Sequence, residues 1–455
     1  MASTAPSSRR RVLILGGGFA GIYTALGLEH AARPEEQVEV TLISRDNYFL
    51  FTPMLCEVIS SQIDTTHAIN PIRRMFRRTR FVEGEVRGID VQAHTVTVRY
   101  AHERQAQYPY DHLVVAVGAT TGFFGMHDVQ EHAITAKTLG DAIYLRNWAL
   151  EMLELASVEQ NPATRAELLT FVVGGGGFTG VEVAGELNDL VRRALPSYPA
   201  IAASEVRVML VEARSRLLPE FSQRLAAFAT GVLRSRGVEV RAKTSVAGAT
   251  AREVRLKDAD PIPTRTLVWT SGVAPHAFVA HSGLPTDEKG WITVDAHLRA
   301  PGVADVWALG DCAHIPDVLH PGKFQPALAQ HAIREAHQLA RNILATMRDE
   351  PTQPFRYRTM GQMATLGHYN GIGTIGPLQI AGLPAWLLWR TYYLWRMPRL
   401  EKRLRIATDW TVDALFGRDI SQIQTYRASE VQELDTQQEP TPASGGPKAR
   451  SQRQK

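Results

Sequence analysis

The sequence predicts an α/β protein in which two parallel-sheet domains precede a C-terminal region rich in aromatic and basic residues. Two observations favour this class. A short apolar run that breaks into a glycine-rich turn and then a helical stretch begins at residue 11 and recurs at residue 168. The chain has 455 residues, 44% of them hydrophobic, and is therefore long enough to bury more than one core.

The overall composition limits the possible classes of protein. The net charge of +4 and the pI near 9.0 are only mildly basic. Residues 1–10 lack the apolar core of a signal peptide, and no uncharged apolar run reaches the roughly 18 to 20 residues of a membrane span. We therefore expect a protein made and kept in the cytoplasm. Cys56 and Cys312 form no redox or zinc pattern, so neither a structural disulfide nor a metal site is expected.

The first glycine-rich turn has the pattern of a dinucleotide-binding unit. A strand at residues 11–15 precedes it, a helix at residues 22–28 follows, and a second strand covers residues 38–43. Glycines let the backbone turn tightly and approach a pyrophosphate, which the helix N-terminus attracts. The turn residues expected at this site are Gly16, Gly18, Phe19, Ala20 and Gly21.

The ribose-binding position of the first unit departs from this pattern. The acid that usually ends the second strand is replaced by Ser44, with Arg45 and Asp46 after it. Either Asp46 reaches back to the ribose or Ser44 makes a weaker hydroxyl hydrogen bond, and the sequence leaves both open.

Three stretches follow the first unit. Residues 47–60 are apolar and aromatic, and fit either a segment packed around a bound ring system or plain core. Residues 72–80 contain five arginines, most simply read as a solvated helix face. Residues 81–100 resemble a strand pair, and residues 110–119 a buried strand that ends in a turn at Gly118.

The same motif then repeats after a helical stretch at residues 136–158. A strand at residues 168–173 leads to the second glycine turn, followed by a helix at residues 181–194 and a strand at residues 206–211. The turn residues expected at this site are Gly175, Gly177, Phe178, Thr179 and Gly180.

Glu212 ends the strand that follows the second turn. An acid in this place binds ribose hydroxyls and repels a 2′-phosphate, which favours NADH over NADPH. Arg214 could accept that phosphate instead, so the cofactor preference stays open.

Two dinucleotide units in one chain predict a flavin beside a nicotinamide, because a hydride carrier needs a second redox centre. Two further strands support a flavin site. One, at residues 267–273, ends in a small-residue turn that contains Gly272, and the other, at residues 304–313, ends at Gly310 and Asp311, where a carboxylate could bind a ribityl chain.

Together these residues resemble the glutathione reductase-like flavoprotein reductases, which contain two dinucleotide-binding Rossmann-like domains, from residue 11 to residue 343. Within that group the chain resembles type II NADH dehydrogenases, the single-subunit NADH:quinone oxidoreductases. Three stretches carry this narrower resemblance: residues 179–187 (TGVEVAGEL), residues 325–343 (QPALAQHAIREAHQLARNI) and the region from Met360 onward.

The resemblance implies roles for particular residues. The glycines of the first turn would hold the FAD pyrophosphate, Val86 would meet the adenine through its backbone, and Asp311 would bind the ribityl chain. Glu182 matches an acid beside the nicotinamide. As the alternative, Glu182 is simply an acid in the first turn of a helix, where the helix dipole favours it.

Ala329 and Gln330 match the start of the family's quinone-site motif, A-Q-x-A-x-Q-Q. The paired glutamines of that motif are replaced by Arg334 and Glu335, so the pocket should be similar in frame and different in detail. His331 occupies the variable place. It could donate a proton to a quinone, or it is only packed or solvated on an amphipathic helix.

Residues 383–416 interleave four of the eight tryptophans with six basic residues. This composition fits a helix pair lying in the headgroup plane of the membrane, since indole rings favour that boundary and basic residues meet anionic lipid. A homodimer interface fits as well. Nucleic-acid binding is discounted, because nothing upstream resembles a nucleic-acid domain.

The predicted division of the chain follows from these stretches. It comprises a disordered N-terminus (1–10), the FAD-binding domain in two parts (11–125 and 273–350), the NADH-binding domain (126–272), the amphipathic membrane or dimer region (351–427) and a disordered tail (428–455).

By resemblance we expect a peripheral enzyme on the cytoplasmic side of the cell membrane that passes two electrons from NADH through FAD to a quinone without pumping protons. Two alternatives are an NADH oxidase or peroxidase using Cys56, and a soluble reductase whose basic residues dock a protein electron carrier. Cys56 has apolar neighbours and an adjacent acid, which raise the pKa of a thiol, so we expect it to be inert. Sulfide:quinone reduction is less favoured, because that chemistry resembles a multi-cysteine site.

Overall fold

The computed structural model describes residues 9–416 and 418–423. Of the predicted disordered N-terminus (1–10), residues 1–8 lie outside this range, whereas Arg10 already belongs to the first strand. The predicted tail (428–455) also lies outside this range. Ten α-helices form within the described residues: α1 (Phe19–Ala31), α2 (Leu55–Ile59), α3 (His127–His132), α4 (Leu139–Val158), α5 (Pro162–Leu168), α6 (Phe178–Ala194), α7 (Gln223–Ser235), α8 (Ala329–Met347), α9 (Leu383–Arg396) and α10 (Leu400–Phe416).

The strands are short and distributed along most of the chain. They are β1 (Arg10–Leu15), β2 (Val38–Ser44), β3 (Tyr48–Leu50), β4 (Ile69–Pro71), β5 (Arg80–Glu83), β6 (Glu85–Asp90), β7 (Thr95–Arg99), β8 (Gln105–Pro109), β9 (His112–Val115), β10 (Thr120–Thr121), β11 (Ile134–Thr135), β12 (Thr170–Gly174), β13 (Arg207–Glu212), β14 (Val238–Ala242), β15 (Val246–Ala249), β16 (Glu253–Leu256), β17 (Ala259–Pro263), β18 (Thr266–Trp269), β19 (Val273–Ala274), β20 (Ile292–Thr293), β21 (Val306–Ala308), β22 (Ala313–His314), β23 (Gly361–Thr365), β24 (Gly371–Ile375) and β25 (Leu378–Ala381).

Two five-stranded parallel sheets confirm the predicted α/β class. The first has the order β21-β9-β1-β2-β5 and the second the order β11-β18-β12-β13-β14. The central strands are apolar on both faces, as a parallel sheet covered by helices requires. The side chains of residues 12–15 in β1 and 171–173 in β12 are at most 2% exposed. Because β21 lies after the whole second sheet in sequence, the first sheet is completed late in the chain.

The arginine-rich stretch at residues 72–80 is not the predicted helix. A single 3₁₀ turn covers Ile72–Arg74, and the chain is irregular from there to β5. The backbone N–H groups of Arg77, Arg78 and Thr79 donate to the carboxylate of Glu29, at the end of α1. These N–H groups therefore do not bond to helix carbonyls, and a distant side chain fixes an irregular loop.

The C-terminal region forms a small antiparallel sheet, β23-β24-β25, followed by the helix pair α9 and α10. Two helices were predicted for this part of the chain, and the structure confirms them. Among the described residues, no helix is both long and apolar enough to cross a membrane.

Candidate active site

The two glycine turns have the same backbone geometry. The N–H of Gly16 donates to the carbonyl of Ile43, and that of Gly175 to the carbonyl of Val211, each at 2.8 Å. Their φ angles are +111° and +118°, which favour glycine over other residues. A side chain at the third glycine of either turn, Gly21 or Gly180, would collide with the carbonyl oxygen of the first. Each turn therefore holds a helix N-terminus against the end of a parallel strand, where phosphate binds readily.

The two predicted ribose-binding positions lie in equivalent places relative to the two turns. Glu212 ends β13, and its carboxylate accepts hydrogen bonds from the N–H groups of Gly176 and Arg214, each at 2.6 Å. Ser44 ends β2 and lies against Gly17 in the same way, since a Cβ built on Gly17 would be 2.6 Å from the Ser44 hydroxyl. Asp46 instead lies 3.7 Å from the guanidinium of Arg45, on the surface. Ser44 rather than Asp46 therefore occupies the place that corresponds to Glu212.

Val86 lies beside this edge of the first sheet. The N–H of Gly84 donates to the carbonyl of Ser44 at 2.9 Å, which places the start of β6 next to the end of β2. Val86 pairs with Val98 of β7, and the register shifts at the next residue. The predicted adenine contact is therefore close to the predicted ribose contact.

The predicted ribityl acid lies in the wall of a cleft of about 740 Å³. Asp311 follows Gly310, and burial raises the pKa of its carboxyl, an effect that the charge of Lys137 opposes. Turns were predicted at Gly310, Gly118 and Gly272. Their φ angles are +71°, +68° and +78°, so all three adopt the left-handed backbone conformation. The cleft also contacts Phe324, Leu328, Ala332 and Glu335.

Glu335 holds this turn in place, a role that the sequence did not reveal. Its carboxylate accepts a hydrogen bond from the N–H of Gly310 at 2.9 Å, and the residue is 2% exposed. Burial raises the pKa of Glu335 to about 8. One feature of the sequence could have indicated this role. Glu335 lies on the apolar face of α8, one position before Ala336 and four before Leu339, both of which are fully buried.

An aromatic row connects the first glycine turn with the C-terminal helices. Phe19, the first residue of α1, packs against Phe49 with ring centroids 4.9 Å apart and against Phe51 at 5.8 Å. Phe51 in turn lies 6.0 Å from Tyr393 of α9. The segment at residues 47–60 thus supplies core rings, at most 2% exposed at Phe49 and Phe51, directly beside the turn. In the second unit, Phe178 makes a similar contact with Phe221 at 5.3 Å.

Glu182 is a partly accessible acid among buried acids. It lies on α6, one helical turn before Glu186, which is 1% exposed, and it accepts a hydrogen bond from the N–H of Thr365 at 3.1 Å. Burial raises the pKa of Glu182 to about 8, and the neighbouring Glu186 and Glu57 raise it further. The raised pKa favours the protonated form of this carboxyl.

Cys56 of α2 is close to the same acids. The residue is 8% exposed, and burial together with Glu182, Glu186 and Glu57 raises the pKa of the thiol well above its usual value. The thiolate, which is the reactive form, is therefore strongly disfavoured. This geometry supports the expectation that Cys56 is inert.

Gln330 and His331 contact the C-terminal region rather than the cleft. The Gln330 amide donates to the carbonyl of Gly361 at 2.9 Å and accepts from the Tyr357 hydroxyl at 3.0 Å. His331 is 1% exposed, its Nε2 lies 2.9 Å from the Thr359 hydroxyl, and its ring meets Tyr357 edge-on at 4.9 Å. Burial lowers the pKa of His331 to about 4. These contacts argue against the predicted proton donation, because the imidazole is neutral and enclosed.

The helix pair α9 and α10 has two distinct faces. Arg390 lies between the rings of Trp386 and Trp410, 4.1 Å and 4.3 Å from their centroids, and Trp389 is 2% exposed. These side chains, like Lys402, point into the protein, so the expectation that the whole aromatic and basic set faces a membrane was wrong for them. The opposite face exposes apolar side chains at Leu383, Leu387, Trp395, Leu400, Leu404, Val412, Leu415 and Phe416.

Comparison with known proteins gives a consistent result. Residues 10–336 match the pyridine nucleotide-disulphide oxidoreductase family, and residues 360–419 match the NDH2 C-terminal domain. A probable NADH dehydrogenase of Dictyostelium discoideum is 32% identical over 90% of this chain and 91% of its own length. The type II NADH:quinone oxidoreductase Ndh of Mycobacterium tuberculosis is 32% identical over 91% and 90% of the two chains. The fold is similar to that of NDH2 from Plasmodium falciparum in complex with NADH, with a TM-score of 0.84, 21% identity and coverage of 91% and 100%.

Proposed function

The chain belongs to the pyridine nucleotide-disulphide oxidoreductase family and has an NDH2 C-terminal domain, and from this premise we propose that it is a type II NADH:quinone oxidoreductase. It would pass two electrons from NADH through FAD to a membrane quinone without pumping protons. The observation that carries the proposal is the pair of equivalent glycine turns in two parallel sheets, followed by a C-terminal domain of the NDH2 type.

The first unit fits FAD. The turn at Gly16, Gly18 and Gly21 brings helix N–H groups to a pyrophosphate, and Gly18 has open space on its Cβ side. Ser44 is placed for the ribose, and Asp311 faces the cleft. Bound there, the flavin would accept a hydride from NADH and release electrons to the quinone.

The second unit fits NADH. Gly175, Gly177 and Gly180 form the phosphate-binding turn, with Phe178 and Thr179 opening α6. The carboxylate of Glu212 is fixed at the strand end, where it would bind ribose hydroxyls and repel a 2′-phosphate. The Glu212 carboxylate would therefore favour NADH over NADPH.

Glu182 is our proposed acid at the reacting rings. It is partly accessible, it lies on the helix that the NADH turn opens, and its raised pKa favours the protonated form. A protonated carboxyl can donate a hydrogen bond or a proton where quinone reduction requires one.

We further propose that residues 11–125 and 273–350 bind FAD, that residues 126–272 bind NADH, and that residues 351–427 form a membrane or dimer region. The return of β21 to the first sheet supports the split FAD-binding domain.

Membrane association and dimerisation are also part of the proposal. On α9, Leu383, Leu387 and Trp395 follow one another at intervals of four and eight residues and are 49%, 51% and 66% exposed, so one face of the helix presents an apolar stripe. Such a stripe fits the interface of a membrane, here on its cytoplasmic side, or part of a homodimer contact.

An anaerobic absorbance experiment in two steps tests this function. NADH added to the purified protein should bleach the flavin band, and a water-soluble quinone added next should restore it rapidly. If the bleached flavin band recovers with oxygen, peroxide or a protein carrier but not with the quinone, that result would contradict quinone reduction. Absence of a flavin band after reconstitution with FAD would contradict the first binding site.

A further inference from the structure

The arginine loop, residues 73–80, has no part in the dinucleotide sites. All five of its arginines are exposed: Arg73, Arg74, Arg77, Arg78 and Arg80. Arg73 stacks on Phe81 at 4.9 Å, and Arg78 binds a backbone carbonyl of α1. Among the described residues, no ion pair or side-chain hydrogen bond is formed by the other three guanidinium groups.

The loop is not an isolated charged stretch, because it adjoins the connection between α9 and α10. The guanidinium of Arg399 donates to the backbone carbonyl of Arg74 at 3.0 Å, across 325 positions of sequence. Arg396 and Arg403 lie close to Tyr23 of α1, where their charges oppose the rise in the pKa of that phenol caused by burial. Basic residues from the first sheet domain and from the C-terminal domain therefore form one surface.

Few acids offset this charge. Glu401 pairs with Arg399 at 3.1 Å. Glu29 lies next to the loop, but its oxygens bind the backbone N–H groups of the loop rather than its side chains. The guanidinium groups of Arg74, Arg77 and Arg80 thus remain available to an external anion.

Large apolar side chains flank the same surface. Trp395, one residue before the end of α9, is 66% exposed, while Leu400 and Leu404, one turn apart on α10, are 68% and 62% exposed. Exposed apolar groups beside unpaired arginines are the combination that enters a headgroup layer, where the rings and chains insert and the charges meet phosphates.

We propose that the arginine loop and the connection between α9 and α10 form a single surface that binds the headgroups of anionic lipids, so that the first sheet domain as well as the C-terminal helices contacts the membrane. This inference rests on the membrane association proposed above, and not on the redox activity. Contact through two domains would fix the orientation of the protein on the bilayer. An acidic protein partner fits the charge but leaves the exposed tryptophan and leucines unexplained.

Vesicle co-sedimentation of the flavin-loaded full chain tests the proposal. The test variant carries Arg74→Gln, Arg77→Gln and Arg80→Gln. The matched control carries Arg104→Gln, Lys243→Gln and Lys257→Gln, which remove three exposed charges outside the loop and the helix pair. Each arginine at an anionic surface contributes about fivefold to partitioning, so loss of three should weaken binding of the test variant to vesicles of equal parts phosphatidylcholine and phosphatidylglycerol by about 100-fold.

The control should bind these vesicles like the unchanged protein. A variant with Arg74→Lys, Arg77→Lys and Arg80→Lys should bind like the unchanged protein too, since headgroup attraction needs charge rather than guanidinium geometry. Unchanged binding of the test variant would overturn the proposal, and an acidic protein would become the better partner. A loss that lysine does not restore would overturn it too. NADH turnover with a water-soluble quinone, measured on the same samples, tests the proposed function separately and reports on folding.

Discussion

Arg390 of α9 and Glu57 of α2 form a buried ion pair, with the guanidinium 3.2 Å from the carboxylate and enclosed between the indoles of Trp386 and Trp410. The Trp410 N–H donates to the other oxygen of Glu57 at 3.0 Å. The pair joins the C-terminal helices to α2, which also carries Cys56. Cys56 in turn lies close to Glu182. The C-terminal helices α9 and α10 are therefore anchored at the candidate active site.

Replacing Arg390 should destabilise the whole chain. Arg390→Ala leaves Glu57 without its cation in a site that is 2% exposed, and such losses typically cost about 3–5 kcal/mol. Urea unfolding should show this decrease in the free energy of unfolding. Arg403→Ala, on the same helix pair but binding only a backbone carbonyl, serves as the control. Equal stability of the two variants would contradict the anchoring role.

Glu212 should set the choice between NADH and NADPH. Glu212→Gln keeps an acceptor for the N–H of Gly176 but removes the charge that repels a 2′-phosphate. We expect kcat/KM to fall for NADH and to rise for NADPH, with flavin content unchanged.

In the first unit, Ser44 rather than Asp46 should contact the ribose of the flavin nucleotide. Asp46→Ala should therefore retain flavin fully, whereas Ser44→Ala should weaken flavin retention. A flavin loss confined to the Asp46 variant would reverse the assignment of the ribose contact.

Cys56→Ser should leave NADH:quinone turnover undiminished. Burial and three nearby acids keep the thiol protonated, so it has no nucleophile to contribute. Steady-state rates with quinone, and separately with oxygen or peroxide, measure this directly. A selective loss of peroxide or oxygen reduction would bring back the peroxidase alternative.

His331 should act through packing. His331→Gln removes the contact with Tyr357 and disturbs the bond to Thr359, and we expect a loss of about 1–2 kcal/mol of stability with quinone turnover preserved. Thr359→Val, which deletes the same hydrogen bond from the other side, should behave alike. Slow quinone reduction with normal flavin bleaching by NADH, seen only in the His331 variant, would favour proton donation after all.

The parts of the structure that could be predicted depend on local backbone requirements. The glycine turns are readable from sequence because a positive φ and a close helix contact demand glycine at fixed spacing, as at Gly16 and Gly21. The parts that could not be predicted depend on partners far away in sequence. Glu29 accepts hydrogen bonds from the N–H groups that would bond to carbonyls if the arginine loop were a helix. Glu57 pairs with Arg390 and accepts a hydrogen bond from Trp410, so Arg390 is buried between Trp386 and Trp410.

Glu182 should impose a fall in the rate of quinone reduction as the pH rises through about 8. Below that pKa the carboxyl carries the proton it can donate, and above it the proton is lost, so the rate should be higher on the acidic side. Glu182→Gln should be slower near neutral pH and lack this fall. Glu335→Gln is a matched control, because burial also raises the pKa of Glu335 to about 8, while its bond to Gly310 can be kept by the glutamine oxygen. The fall should persist in the Glu335 variant. If it persists in the Glu182 variant and disappears in the Glu335 variant, the proton comes from the wall of the cleft instead.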